Sequence, residues 1–325
     1  MSRKLKRGYT TGVHASFAFK SALEAFWATQ SLAVSISYKM DNDDLDVTKG
    51  CEIVVTISDR LEDLKLNPIP HNPYNIGSIK LYAGVGVGVV TKEGLKPPKG
   101  YPAINPTPLE AIRRCDHVTR QNKPIYATIS ITNGEAIAKQ TANSKVGVIG
   151  GLSILGTTGF VKPISADAYM DAIRTELSVA KANGYNEVIL TLGNSSLQYA
   201  KESYDKIQIV EIGNFVYDTL AIVQELKFQS AIFVCGIGKA TKVMQGCKNT
   251  HNRFGSIDFI DLKKDIEKEL NIKIDIKSTK TVKGISKQLE KYDKVYDFFN
   301  FIRVKTDKKL QEWFDLLDIK TVILR

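Results

Sequence analysis

The chain has 325 residues, of which 43% are hydrophobic and 25% charged, a balance that fits a soluble globular protein with room for two ordinary domains. No apolar run approaches the roughly 20 residues of a membrane helix, and the basic start MSRKLKRGYTTG has no apolar core behind it, so neither a membrane partner nor a secretory signal is expected. The formal charge of +10 fits a lysine-rich solvated surface or a polyanionic small molecule; the basic residues are spread along the chain without a nucleic-acid motif, so no nucleic-acid partner is expected.

Residues 13–30 carry Phe19, Leu23 and Phe26 at helical spacing, after the segment Thr10-Thr11-Gly12. At that helix start the two threonine hydroxyls serve equally well as caps or as anion donors. Alternation predicts strands over 31–38 and 51–58, separated by an acidic turn holding Asp43, Asp44 and Asp46. Those carboxylates could orient a ring amide or a proton, or simply be solvated. A proline-rich loop follows over 67–75. Residues 81–90 alternate Gly with Val and read as a strand against which something packs closely. A second proline-rich stretch, 96–108, opens a helix near Leu109, and 125–131 is a clean strand ending at the turn signal Asn133-Gly134.

The run IGGLSILGTTG at 149–159 is the most distinctive segment. Gly150, Gly151, Gly156 and Gly159 permit a tight turn or a close approach of backbone to something large. Ser153, Thr157 and Thr158 add hydroxyl donors for carboxylate or phosphate oxygens. The run is neither a GxGxxG dinucleotide loop nor a GK[ST] phosphate loop, which leaves a nicotinamide oxidoreductase without its fingerprint.

Beyond it the rhythm changes to strand–helix alternation. Ser165 can cap a helix over 166–183 that Gly184 stops. Strands over 187–192, 207–212 and 230–235 then alternate with helices over 195–204 and 215–227 and one from about Lys239. Such alternation means a parallel sheet. Each strand runs into glycine: Gly193-Asn194, Gly213-Asn214 and Gly236-Ile237-Gly238. In open α/β sheets ligands sit beyond the carboxyl ends of the strands, although turn preferences alone also place glycine there. From Ile257 the chain reads as charged helices and short strands, including 260–270 and 321–324, that serve packing and solvation. The expected fold class is therefore α/β and α+β in two domains. Residues 1–160 form an α+β, substrate-facing domain. Residues 161–325 form a Rossmann-like parallel-sheet domain with a charged helical extension.

Four cysteines (Cys51, Cys115, Cys235, Cys247) show no CxxC or metal-finger spacing, which fits reduced thiols in a cytoplasm. His71 and His117 read as structural or solvated.

Taken together, several segments resemble the cobalt-precorrin-5B C1-methyltransferases of anaerobic cobalamin synthesis. They are GYTTG at 8–12, DLDVTKG at 44–50, GVGVVTKEGL at 86–95, PAINPTP at 102–108 and IGGLSILGTTGFVKPIS at 149–165. GNF at 213–215, GIGK at 236–239 and NTH at 249–251 complete the series, which follows the family's order over residues 7–255. The long glycine run and PAINP are specific; GNF and GIGK alone are weak.

The resemblance implies methyl transfer from S-adenosylmethionine to carbon 1 of a cobalt-containing, ring-contracted polycarboxylate tetrapyrrole. Cobalt then arrives inside the substrate and no protein metal site is required. It implies a cosubstrate site at Gly193, Asn194, Gly213, Asn214, Phe215, Gly236 and Gly238. Thr10, Thr11, Gly150, Gly151, Ser153, Thr157, Thr158 and Lys239 would face the substrate, with the macrocycle between the domains. Thr11, His14, Asp46 and His251 are the catalytic candidates, and a homo-oligomer is open. The family pattern GYTTGTCA here reads GYTTGVHA, with Val13 and His14. GHIGK becomes CGIGK with Gly236, NFVGD becomes NFVYD with Tyr217, and NTHS becomes NTHN with Asn252. These departures keep one alternative in play, a divergent, non-catalytic corrinoid- or S-adenosylmethionine-binding member.

Overall fold

The apolar periodicity of the sequence is realised in two compact units, Met1–Ala168 and Tyr169–Arg325, each with its own core. The computed structural model describes residues 8–41, 43, 46–115, 124–156, 159–161, 166–277, 279 and 281–324. Thr157, Thr158, Asp44, His117 and the Ser165 cap lie outside the described residues.

The first unit begins with β1 (Gly8–Tyr9), α1 (Thr11–Thr29), β2 (Ala33–Tyr38) and β3 (Glu52–Ser58). It continues through β4 (Tyr74–Ile76), β5 (Ile79–Ala83), β6 (Gly86–Val87), β7 (Val89–Val90) and α2 (Pro106–Arg113). It closes with β8 (Ile125–Ile131), α3 (Gly134–Ala138), β9 (Val148–Ile149), β10 (Gly151–Leu152) and β11 (Phe160–Val161). The order β2-β3-β8-β5-β4 makes a mixed sheet against which α1 packs Phe19, Leu23 and Phe26, all buried. Residues 81–90 are not one strand. Gly86 adopts a φ of 81° and splits the segment into three short pieces, the last two pairing with β10 and β9. The expected close packing is present: a β-carbon at Gly88 would lie 2.4 Å from Val148 Cγ1. After Asn133 the chain makes a short helix instead of an open turn.

In the second unit α4 (Ala166–Ala182), most of which lies within it, leads to β12 (Glu187–Leu192), α5 (Asn194–Ser203), β13 (Ile209–Glu211) and α6 (Val216–Glu225). Then come β14 (Ser230–Gly236), α7 (Ile237–Met244), α8 (Phe259–Leu270), α9 (Val282–Glu290), α10 (Val295–Trp313) and β15 (Asp318–Leu324). The four strands form a parallel sheet in the order β13-β12-β14-β15. Near-continuous apolar runs in β12 and β14 are what a sheet covered on both faces requires. The carboxyl-terminal segment is more than a solvated extension. β15 joins the sheet beside β14, and α10 packs on α7 and β15.

Candidate active site

The strand order of the second unit decides where its crevice lies. The chain leaves β12 for β13 on one side and then places β14 on the other, so the direction of winding reverses between β12 and β14. Open parallel sheets bind ligands at the carboxyl ends of strands that flank such a reversal. A cleft of about 1020 Å³ occurs there, bordered by Leu192 of β12, Gly236 of β14 and Leu324 of β15.

Gly193, Gly236 and Gly238 border this cleft. A β-carbon built on any of them meets nothing within 4 Å, so each faces open space, and Gly193 also holds a φ of 99°. Gly193 and Gly236 are the N-caps of α5 and α7, and neither helix receives a side-chain cap. The first-turn N–H groups of both helices therefore lack a capping side chain and can serve a ligand. Asn194 and Ser195 also line the cleft, while Ser196 is spent on the Leu192 carbonyl at 3.2 Å.

Three motif segments far apart in sequence meet at Lys239. Its Nζ donates to Asn214 Oδ1 at 2.7 Å and to the Thr250 carbonyl at 3.0 Å, and Thr250 Oγ1 donates to the same Asn214 oxygen at 3.0 Å. Lys242, 7% exposed, donates to the Thr250 carbonyl at 3.1 Å, to Asn252 Oδ1 at 2.7 Å and to the Gly255 carbonyl at 2.9 Å. Burial first, and then the neighbouring Lys242 charge, hold the Lys239 ammonium below its ordinary value. Neither lysine is in an ion pair among the described residues. The cleft thus has a buried positive end held by neutral dipoles.

Gly213, Asn214 and Phe215 do not line this cleft. They follow β13, an outer strand, and a β-carbon at Gly213 would lie 3.0 Å from the Tyr169 hydroxyl. Asn214 contributes by fixing Lys239. His251 is exposed and accepts from the Arg253 N–H at 3.1 Å. Tyr217 is packed on Phe314 and under the Lys248 ammonium, away from the cleft lining.

In the first unit the glycine run closes on the chain itself. A β-carbon at Gly151 would sit 2.2 Å from the Gly86 carbonyl oxygen, one at Gly150 2.7 Å from Asn67 Nδ2, and one at Gly156 2.3 Å from Thr10 Oγ1. Gly12 N–H donates to the Leu155 carbonyl at 2.7 Å, and Thr11 Oγ1 accepts from Leu155 N–H at 2.9 Å. Thr10 caps α1 by accepting from Val13 N–H. GYTTG and the glycine run therefore form one joined structure, reinforced by the β1–β11 pair. Ser153 is half-buried beside it.

His14 and Asp46 gather around Lys39. Met40 N–H donates to His14 Nε2 at 3.3 Å, which leaves Nδ1 to donate to Ser37 Oγ at 2.8 Å. Burial, then the Lys39 charge, keep the imidazole below its ordinary value. Asp46 pairs with the buried Lys39 ammonium and accepts from Thr48 N–H at 2.9 Å. Burial pushes the Asp46 carboxyl up, but the hydrogen bonds from Lys39 and Thr48 together outweigh it, and the group lies below its ordinary value.

The profile of the CbiD family matches residues 23–163. A curated protein of Methanocaldococcus jannaschii named cobalt-precorrin-5B C(1)-methyltransferase is 34% identical over 90% of this chain and 79% of its own length. A protein of the same name from Geobacillus sp. is 36% identical over 79% of this chain and 76% of its own length. The chain belongs to the CbiD family. Membership makes it a methyltransferase of cobalamin biosynthesis. A cobalamin biosynthesis protein (cbiD) of Archaeoglobus fulgidus, known from a crystal structure, is 24% identical over 70% of this chain and 76% of that one, with a TM-score of 0.33. No helix among the described residues is long and apolar enough to cross a membrane.

Two contributions to this CbiD-family cleft have no mark in the sequence pattern. Ile257, Phe259, Val282, Val295 and Phe299 make its apolar wall, and Lys283, Ser286 and Lys287 its polar one, all from the carboxyl-terminal segment. Lys242 lies one helical turn beyond Lys239 and is recognisable only in retrospect, as the i+3 partner on the same face of α7.

Proposed function

We propose that this chain transfers the methyl group of S-adenosylmethionine to carbon 1 of cobalt-precorrin-5B, and that the second unit is a Rossmann-like domain whose cleft holds the methyl donor. The observation that carries the reading is the cleft at the β12/β14 reversal, in which three glycines face open space below two helix amino termini without side-chain caps. Such a cradle suits a ligand that must lie directly on backbone. Its volume sits at the upper end of the roughly 300–1,000 Å³ typical of small-molecule sites, so a nucleoside-sized donor does not fill it.

S-adenosylmethionine supplies an electrophilic methyl on a sulfonium; the ring carbon contributes the electron pair of the new bond, and sulfur keeps the old pair as a neutral thioether. The protein's task is alignment, since holding two reactants in line supplies a large part of the barrier reduction. Gly193, Gly236 and Gly238 leave the space. The α5 and α7 first-turn N–H groups meet carboxylate or hydroxyl oxygens. Asn214, Thr250 and Asn252 hold Lys239 and Lys242 at fixed positions on the acid-accepting side.

Titration calorimetry with S-adenosylhomocysteine tests this. Binding by the wild-type chain, lost in Gly236→Val and Gly238→Val but kept in Gly184→Ala, supports the reading. Equal binding by all four proteins overturns it.

A further inference from the structure

The cleft carries more positive charge than a methyl donor explains. Among the described residues Lys239, Lys242, Lys283 and Lys287 line it against one acid, Glu290. Among the described residues none of the four lysines is in an ion pair. Lys239 and Lys242 both donate to the same carbonyl oxygen of Thr250, so their ammonium nitrogens are no more than about 6 Å apart. Two like charges that close, one of them buried, repel each other, and removal from water makes both more costly. Among the described residues all of their partners are neutral, so none of these supplies a counter-charge.

The remaining two cations come from a single helix face. Lys283, Lys287 and Glu290 are spaced by four and three residues on α9, which places them side by side. The first two are exposed and line the cleft from α9, which packs against α7. Thr281 caps this helix by accepting from Gly284 N–H at 3.0 Å, which fixes its start at the cleft. A sulfonium donor is itself cationic at sulfur and is not drawn to such a wall. A ligand edged with several carboxylates is.

We infer that α9 is a substrate-recognition element: Lys283 and Lys287 bind carboxylate side chains of the tetrapyrrole, and the Lys239–Lys242 pair provides the field that draws those acids into the cleft. The inference rests on the tetrapyrrole reading of the same site. It assigns the acid-binding role to the carboxyl-terminal segment, not to the glycine cradle.

The test uses the full chain and two commercial tetrapyrroles, the octacarboxylate uroporphyrin and the tetracarboxylate coproporphyrin, followed by quenching of porphyrin fluorescence across a salt series. Uroporphyrin is expected to bind more tightly than coproporphyrin, with affinity falling as salt rises. The double variant K283Q/K287Q, which keeps exposed positions helical and polar, is expected to weaken uroporphyrin roughly five- to tenfold and to flatten the salt dependence. Its affinity for S-adenosylhomocysteine is expected to stay unchanged. K283E/K287E should weaken uroporphyrin further. Wild-type affinity of K283Q/K287Q for uroporphyrin overturns the inference, and so does an equal loss of S-adenosylhomocysteine binding in that variant. Failure of the wild-type chain to bind S-adenosylhomocysteine would instead overturn the donor site while leaving the porphyrin result to stand or fall separately.

Discussion

Replacing Gly151 by alanine asks whether the glycine run approaches a ligand or its own chain. The added β-carbon would lie 2.2 Å from the Gly86 oxygen, 2.3 Å from the Gly86 carbonyl carbon and 2.7 Å from the Val87 nitrogen. All three are backbone atoms of β6, the parallel partner of β10, so no side chain can swing aside. Overpacking of this kind costs 1–3 kcal/mol, and with backbone on the receiving side the upper end, about 3 kcal/mol, is expected. For a unit of this size that is roughly 6–12 °C in melting midpoint. Gly50→Ala is the control: its φ of 70° carries a left-handed penalty of about 1 kcal/mol, but its β-carbon meets nothing within 4 Å. The chain has two tryptophans, Trp27 on α1 and Trp313 on α10, so a Trp313→Phe background reports the first unit alone. Thermal and urea unfolding followed by Trp27 fluorescence should place Gly151→Ala well below Gly50→Ala without any ligand present. A Gly151→Ala protein as stable as its parent, yet defective in tetrapyrrole binding, would refute the packing account and restore the run as a bare ligand platform.

Other expectations are narrower. His14 has its folded-state imidazole below the ordinary value, from burial and then the Lys39 charge, so its stabilising contribution is whole above the ordinary imidazole range and drains away as pH falls through the lowered value. Urea midpoints at several pH values should therefore show the advantage of wild type over His14→Gln shrinking on acidification; a constant gap would contradict the assignment. Asp46→Asn leaves the Lys39 ammonium, 4% exposed, without its anion and should cost about 3 kcal/mol in urea unfolding, whereas a neutral outcome would show that Thr48 suffices. Asn214→Leu removes the acceptor that Lys239 shares with Thr250, so it should weaken porphyrin binding while the melting midpoint of the Trp27 unit stays in place. A shift of that unit instead would mean the effect is not local.

Much of the second unit was legible because its chemistry is periodic. β12 was bounded from the strand–helix rhythm, and α4, α5, α6 and α8 fell within one or two residues of their observed ends, whereas α9 and α10 were not bounded within the charged carboxyl-terminal segment. The glycine turns after β12 and β14 were singled out because parallel sheets open at their strand ends, and both turns border the cleft. Gly213 shows the limit of that reasoning. It has the same local sequence, but β13 is an outer strand on the far side of β12, and strand order is not written in the strands themselves. The wall supplied by α9 was illegible because Lys283 and Lys287 look like any solvated helix face until the packing of α9 on α7 and α10 brings them to the cleft. In the first unit the need for close approach at the glycine run was correctly read from glycine chemistry. Its partner, the Gly86 backbone, depends on a long-range pairing that no local pattern announces.

The central claim is tested most directly by incubating the purified chain with methyl-labelled S-adenosylmethionine and cobalt-precorrin-5B and locating the label by carbon NMR and mass spectrometry. The account predicts a single labelled methyl on carbon 1 and one S-adenosylhomocysteine released per methyl transferred. Label on another ring carbon, or no transfer by a protein that binds both ligands, would contradict it.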